Sequence, residues 1–119
     1  MKVVLIDYIS PIGHIPIINF YINKLYNKFD NIYLEDNIKS KVSKKKKILF
    51  LKIHSSFIFR FFQILKLFKN FKTQNVEKIV MLSYEPYIIL LIGLFMDLTR
   101  FKIFIFEHDT LNQKKMLKF

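Results

Sequence analysis

Cysteine is absent from the chain, and with it any disulfide or thiolate-bound metal; the redox compartment leaves no trace in the sequence. Glycine occurs twice, proline three times, and tryptophan and alanine not at all. With so few glycines there is no G-x-G-x-x-G dinucleotide fingerprint and no phosphate-binding P-loop pattern. Three scattered histidines make no zinc spacing. Long apolar runs are missing too. The longest, Tyr87 to Met96, is closed by Pro86 and Asp97, well short of the ~18–20 residues that span a bilayer. The opening residues MKVVLID end their apolar run at Asp7, too soon for a secretory leader. These absences point to a cytoplasmic protein.

What is present is apolar and basic. Hydrophobic residues make up 52% of the 119 positions and aromatics 17%, a composition that folds rather than stays disordered. The length suits one domain with a modest core. The formal net charge is +11, with Lys, Ile, Asn, Phe and Tyr heavily used. AT-rich coding favours those residues, so the charge alone does not argue for a nucleic-acid partner.

Strand and helix patterns alternate. Lys2 to Tyr8 is a β-branched run of the kind buried on both faces of a parallel sheet. A loop over Ile9 to His14 follows. Pro16 then suits a helix start, with Ile18, Tyr21, Ile22 and Leu25 at helical spacing. Asn31 to Leu34 and Ile48 to Ile53 read as strands, separated by a polar surface loop that ends in four lysines, Lys44 to Lys47. Ser55 and Ser56 precede a helix to about Lys72, with Phe57, Ile58, Phe61, Ile64, Leu65 and Phe68 on one broad face and Arg60, Gln63, Lys66, Asn70 and Gln74 on the other. Val76 to Leu82 is a strand. Tyr87 to Thr99 is apolar nearly all round and is expected to be deeply buried. Lys102 to Phe106 is the last strand. The order β-α-β-β-α-β-α-β predicts an α/β, Rossmann-like layered domain: a mostly parallel sheet with helices on both faces.

In such a sheet ligands bind beyond the carboxyl ends of the strands. Three polar clusters follow strands: Ser10 to His14, Ser83 to Glu85 and Glu107 to Thr110. Gly13 permits close backbone approach to a ligand, and a histidine such as His14, whose unperturbed pKa lies near neutrality, could serve as a general base; from spacing alone a plain βα turn with an exposed His is the better reading of the pair. His108 and Asp109 are placed to bond a sugar or phosphate at a strand tip, or simply to solvate it. Tyr84 and Glu85 line the same edge, or cap the following helix. No metal site is expected, although Glu107 with Asp109 could in principle hold an ion. His54 reads as a surface loop residue. The aromatics of the 57–72 helix lie mostly opposite its charges, which disfavours nucleic acid and fits packing on a sheet, or contact with an anionic membrane.

In order along the chain, VVLIDYISPIGHIPIINFYINKL, IVMLSYEPYIILLIGLF and KIFIFEHDTLN resemble the successive landmarks of GT-B glycosyltransferases of the family 4-like type. The resemblance implies the N-terminal, acceptor-side half of such an enzyme, residues 1–119 being one incomplete domain without the C-terminal donor-binding domain. It implies transfer of a sugar from a nucleotide-sugar donor to a glycan or lipid-linked acceptor, with no metal or other cofactor. By position His108 and His14 are the catalytic candidates, and Gly13, Tyr84, Glu85 and Asp109 the substrate-binding ones. The resemblance makes the chain a fragment, a truncated gene product or half of a split enzyme whose partner chain carries the donor domain, and implies inactivity without that domain. Apart from the resemblance, the basic amphipathic Phe57 to Lys72 helix suits a cytoplasmic protein in peripheral contact with the inner face of the cell membrane. The alternative is a non-catalytic basic α/β module that binds an anionic membrane surface or nucleic acid.

Overall fold

The computed structural model describes residues 2–9, 15–42, 45–83, 85–106 and 116–118. Its centre is a sheet of order β3-β2-β1-β4-β5-β6. The strands are β1 (Lys2–Asp7), β2 (Asn31–Glu35), β3 (Ile48–Leu51), β4 (Val76–Met81), β5 (Lys102–Phe106) and β6 (Met116–Lys118). The first five pair in parallel and β6 pairs antiparallel to β5 at the edge. Three helices connect them: α1 (Ile15–Leu25), α2 (Phe57–Thr73) and α3 (Pro86–Phe95). The predicted α/β layered fold is therefore observed, five parallel strands and three helices falling where the periodicity places them.

Strand alternation splits the core in two. Successive side chains of a strand point to opposite faces. In β1, Val4 and Ile6 pack with Tyr33, Ile79, Met81, Ile103 and Ile105 under α2 and α3. Leu5 turns the other way, to Ile18 and Ile22 of α1 and to Ile32 and Leu34 of β2. Helices thus cover both faces. In β4, Val76 shares the α2 side with Ile79 although an odd number of steps separates them. The register slips between Lys2 and Val3, and this irregularity restores the face.

Each helix buries a stripe at helical spacing. These are Ile18 and Ile22 in α1; Phe61, Ile64, Leu65, Phe68 and Phe71 in α2; and Ile88, Ile89 and Ile92 in α3. The chain has few glycines for its helix exits, and asparagine takes the role. After α2, Asn75 adopts φ 60°, the left-handed conformation that usually falls to glycine. Its N–H donates to the Lys72 carbonyl at 3.2 Å, closing the helix end.

Four expectations are corrected. The connection from β2 to β3 is no mere surface loop. Asp36–Lys41 forms a 3-10 helix whose Ile38, with the adjacent Val42, is buried on the α1 face. In α2, Phe57 and Ile58 do not join the buried stripe; they are exposed, since the core face begins one turn later at Phe61. Helix α3 is not enclosed. It ends at Phe95, and Tyr87, Leu90, Leu94 and Phe95 are 74%, 67%, 79% and 63% exposed. Only one side of this all-apolar helix meets the sheet. Finally, β6 was not anticipated; its three residues carry no strand signal of their own.

Candidate functional site

From β1 the chain moves outward through α1 to β2 and β3, then returns through α2 to β4 on the other side of β1. The direction of winding reverses between β1 and β4, so a crevice opens at their carboxyl ends, the place where sheets of this kind bind ligands. A cleft of about 330 Å³ lies at this edge, lined by Tyr8 and Ile9 after β1, Glu35 ending β2, Ile53, His54 and Ser55 after β3, Arg60 of α2 and Glu85 before α3.

Two hydrogen-bonded groups hold the rim. The first joins β1 to β4. Asp7 is wholly buried and accepts a short hydrogen bond from the Ser83 hydroxyl. The Ser83 oxygen in turn accepts from the Ile9 N–H at 3.1 Å. One hydroxyl, as donor and acceptor, thus ties both strand ends. The Leu82 N–H completes the joint by donating to the Ile6 carbonyl at 2.9 Å.

The second group is charged. Glu85 occupies the N-cap position of α3, yet its side chain makes no cap hydrogen bond. It faces Arg60 instead. Arg60 Nε donates to Glu85 Oε1 at 2.5 Å and Nη2 to Oε2 at 2.7 Å, a two-pronged pair with both side chains about four-fifths buried. Arg60 Nη1 donates to the His54 and Ser55 carbonyls at 3.1 and 2.9 Å. Gln63, one turn further along α2, accepts from the His54 N–H and donates to the Lys52 carbonyl. The loop after β3 is therefore wrapped on the first turns of α2. The Tyr8 hydroxyl donates to Glu85 Oε1 at 3.3 Å. Burial holds the Tyr8 phenol well above its usual range, and the Glu85 carboxylate adds to the shift. The Arg60 guanidinium is raised as well, chiefly by its hydrogen bonds to Glu85.

The described cleft residues include two carboxylates, Glu35 and Glu85, and one guanidinium, Arg60, which Glu85 holds. Dianionic phosphate finds no available cation there among the described residues. A neutral ligand rich in hydroxyls finds carboxylate acceptors, a phenol and a serine hydroxyl beside two apolar walls, Ile9 and Ile53.

Of the sequence-predicted site residues, Glu85 lines this cleft. Gly13, His14, Tyr84, His108 and Asp109 lie outside the described residues. The structure adds Tyr8, Glu35, Arg60 and the Asp7–Ser83 pair. For Asp7 a signal existed: a lone carboxylate ending an apolar central strand. Arg60 had none, since helical periodicity placed it on an ordinary polar face. Among the described residues, no group of three or more His, Cys, Asp or Glu side chains is arranged to hold a metal ion. No protein family, curated protein or solved structure matches the chain. The fold and this cleft define a Rossmann-like α/β domain with a polar pocket at its winding reversal.

Proposed function

We propose that this chain is the acceptor-side half of a glycosyltransferase, and that the cleft seats the glycan end of a free or lipid-linked acceptor. The observation that carries this reading is the cleft at the β1/β4 crevice, whose described lining sets carboxylates and a phenol beside two apolar side chains. Carboxylates paired with a phenol suit sugar hydroxyls, and Ile9 and Ile53 suit the C–H faces of a pyranose ring. In this reading Glu85 accepts hydrogen bonds from the acceptor, and Arg60 keeps Glu85 aimed. His14 and His108, which follow β1 and β5 in sequence, are the proposed base and strand-tip sugar contact, with Gly13, Tyr84 and Asp109 beside them. The diphosphate of a nucleotide-sugar donor needs cations that the described cleft does not offer, so a second domain or partner chain supplies its seat. No metal or other cofactor takes part.

Ligand-observed NMR with neutral oligosaccharides and with nucleoside diphosphates tests this. The expected result is saturation transfer to an oligosaccharide, lost in Glu85→Ala and in Tyr8→Phe, and no sugar transfer by the chain alone. Nucleoside diphosphate binding at Tyr8 and Glu85 with no oligosaccharide binding would overturn the reading.

A further inference from the structure

An all-apolar helix that leaves four large side chains in solvent calls for a partner. On α3, Tyr87, Leu90 and Leu94 are spaced to form one outward stripe, with Phe95 beside Leu94. On α2, Ile58 and Phe62 stand one turn apart, 63% and 57% exposed. The two sets adjoin. The buried Phe61 ring lies 5.1 Å from the Phe62 ring and 5.7 Å from that of Phe95, centre to centre, so both exposed rings flank the same buried one. The result is one apolar surface across two packed helices, of a kind that water-soluble monomers rarely display.

The charged side chains that α2 and α3 themselves carry have one sign. Beyond Phe62, the exposed positions of α2 pass to Lys66 and Lys69. Neither helix contains an acidic residue. Asp97, just past α3, has its carboxylate engaged by the Thr99 N–H and hydroxyl. We propose that the exposed faces of α2 and α3 dock the protein onto an anionic lipid surface, with Ile58, Phe62, Leu90, Leu94 and Phe95 entering the headgroup boundary and Lys66 and Lys69 meeting lipid phosphates. Charge selects this occupant. A second copy would bring another +11 chain and another lysine rim against the first, whereas an anionic bilayer attracts both the patch and the whole molecule. Insertion is shallow, because no described helix is long and apolar enough to cross a membrane. The inference is independent of what the cleft binds.

The chain has no tryptophan, so a single introduced indole reports its own surroundings. Leu94→Trp places it in the patch. Phe20→Trp places it at an exposed position of α1, on the opposite face of the sheet. With vesicles of phosphatidylglycerol and phosphatidylcholine, the Leu94→Trp emission should shift to the blue and be quenched by brominated lipid, while Phe20→Trp stays unchanged. Pure phosphatidylcholine vesicles should give no shift. Co-sedimentation with the anionic vesicles should fall at least tenfold in Leu90→Asp/Leu94→Asp and severalfold in Lys66→Glu/Lys69→Glu. Circular dichroism verifies that these surface variants remain folded. Absence of binding to anionic vesicles by the folded protein, equal response of both tryptophans, or a dimer in sedimentation velocity that Leu90→Asp/Leu94→Asp dissociates, would each overturn the proposal.

Discussion

Arg60 and Glu85 stand at the starts of neighbouring helices and neutralise each other across the cleft, Nη2 to Oε2 at 2.7 Å. Neither is well placed alone. A cation in the first turn of a helix opposes the helix dipole, and a carboxylate at an N-cap that does not cap leaves amide groups to other partners. Paired, they fix α2 against the entrance to α3 and hold the loop after β3 through the His54 and Ser55 carbonyls.

Removing one partner should therefore cost more than an exposed ion pair would. Arg60→Met and Glu85→Gln are each expected to lower stability by about 1–2 kcal/mol, between the ranges for exposed and buried pairs. The double variant should cost less than the sum, with a coupling of about 1 kcal/mol in a double-mutant cycle. Urea unfolding of the four proteins measures it.

Ser83→Ala removes a donor to a fully buried carboxylate and the acceptor of the Ile9 N–H. The expected loss is about 1.5–3 kcal/mol, the range for a hydrogen bond to a charged group. Hydrogen exchange should quicken at Ile9 more than in α1, because the joint between the β1 and β4 ends is what loosens.

Tyr8 gives the protein an alkaline limit. Its phenol keeps its proton in the folded state at pH values where the unfolded chain has released it, which is above about pH 10. Its contribution is thus complete below that point and declines as the pH rises past it. Burial raises Tyr33 in the same direction. Tyr8→Phe should flatten the fall in urea midpoint between pH 9 and pH 11, and Tyr8→Phe/Tyr33→Phe should flatten it further.

Asn75 tests the glycine shortage directly. Asn75→Gly should change stability by less than about 1 kcal/mol, since both residues accept the left-handed conformation. Asn75→Val should cost about 1–2 kcal/mol, because its branched Cβ meets the following carbonyl there. Thermal unfolding followed by circular dichroism separates the two.

The sheet was readable because its strands are short β-branched runs between polar breaks, and α1 and α2 because their apolar residues recur at helical spacing. The same rules fail where sequence spacing does not encode what lies opposite. Ile38 and Val42 are two apolar residues among polar neighbours, too sparse for any period, yet both reach the core. In α3 the opposite holds. Every position is apolar, so nothing in the pattern marks which side the sheet covers, and the exposed stripe is visible only in three dimensions. At the cleft, a carboxyl-end ligand edge was foreseeable from topology and Glu85 was placed on it. The pairing of Glu85 with Arg60 joins two elements that local periodicity treats separately.

The sheet order also governs how the chain matures. Strand β1 sits in the middle, with β2 on one side and β4 on the other, and Val4 lies beside Ile79. On the ribosome this central strand leaves before its neighbours and gains the second of them only after β2, β3 and α2 have followed. Until then a run as apolar as VVLI has one unpaired edge. Pairing so distant in sequence folds slowly and favours aggregation of the incomplete chain. Stalling synthesis between α2 and β4 should therefore yield a nascent chain that binds chaperones strongly, and adding β4 should release it.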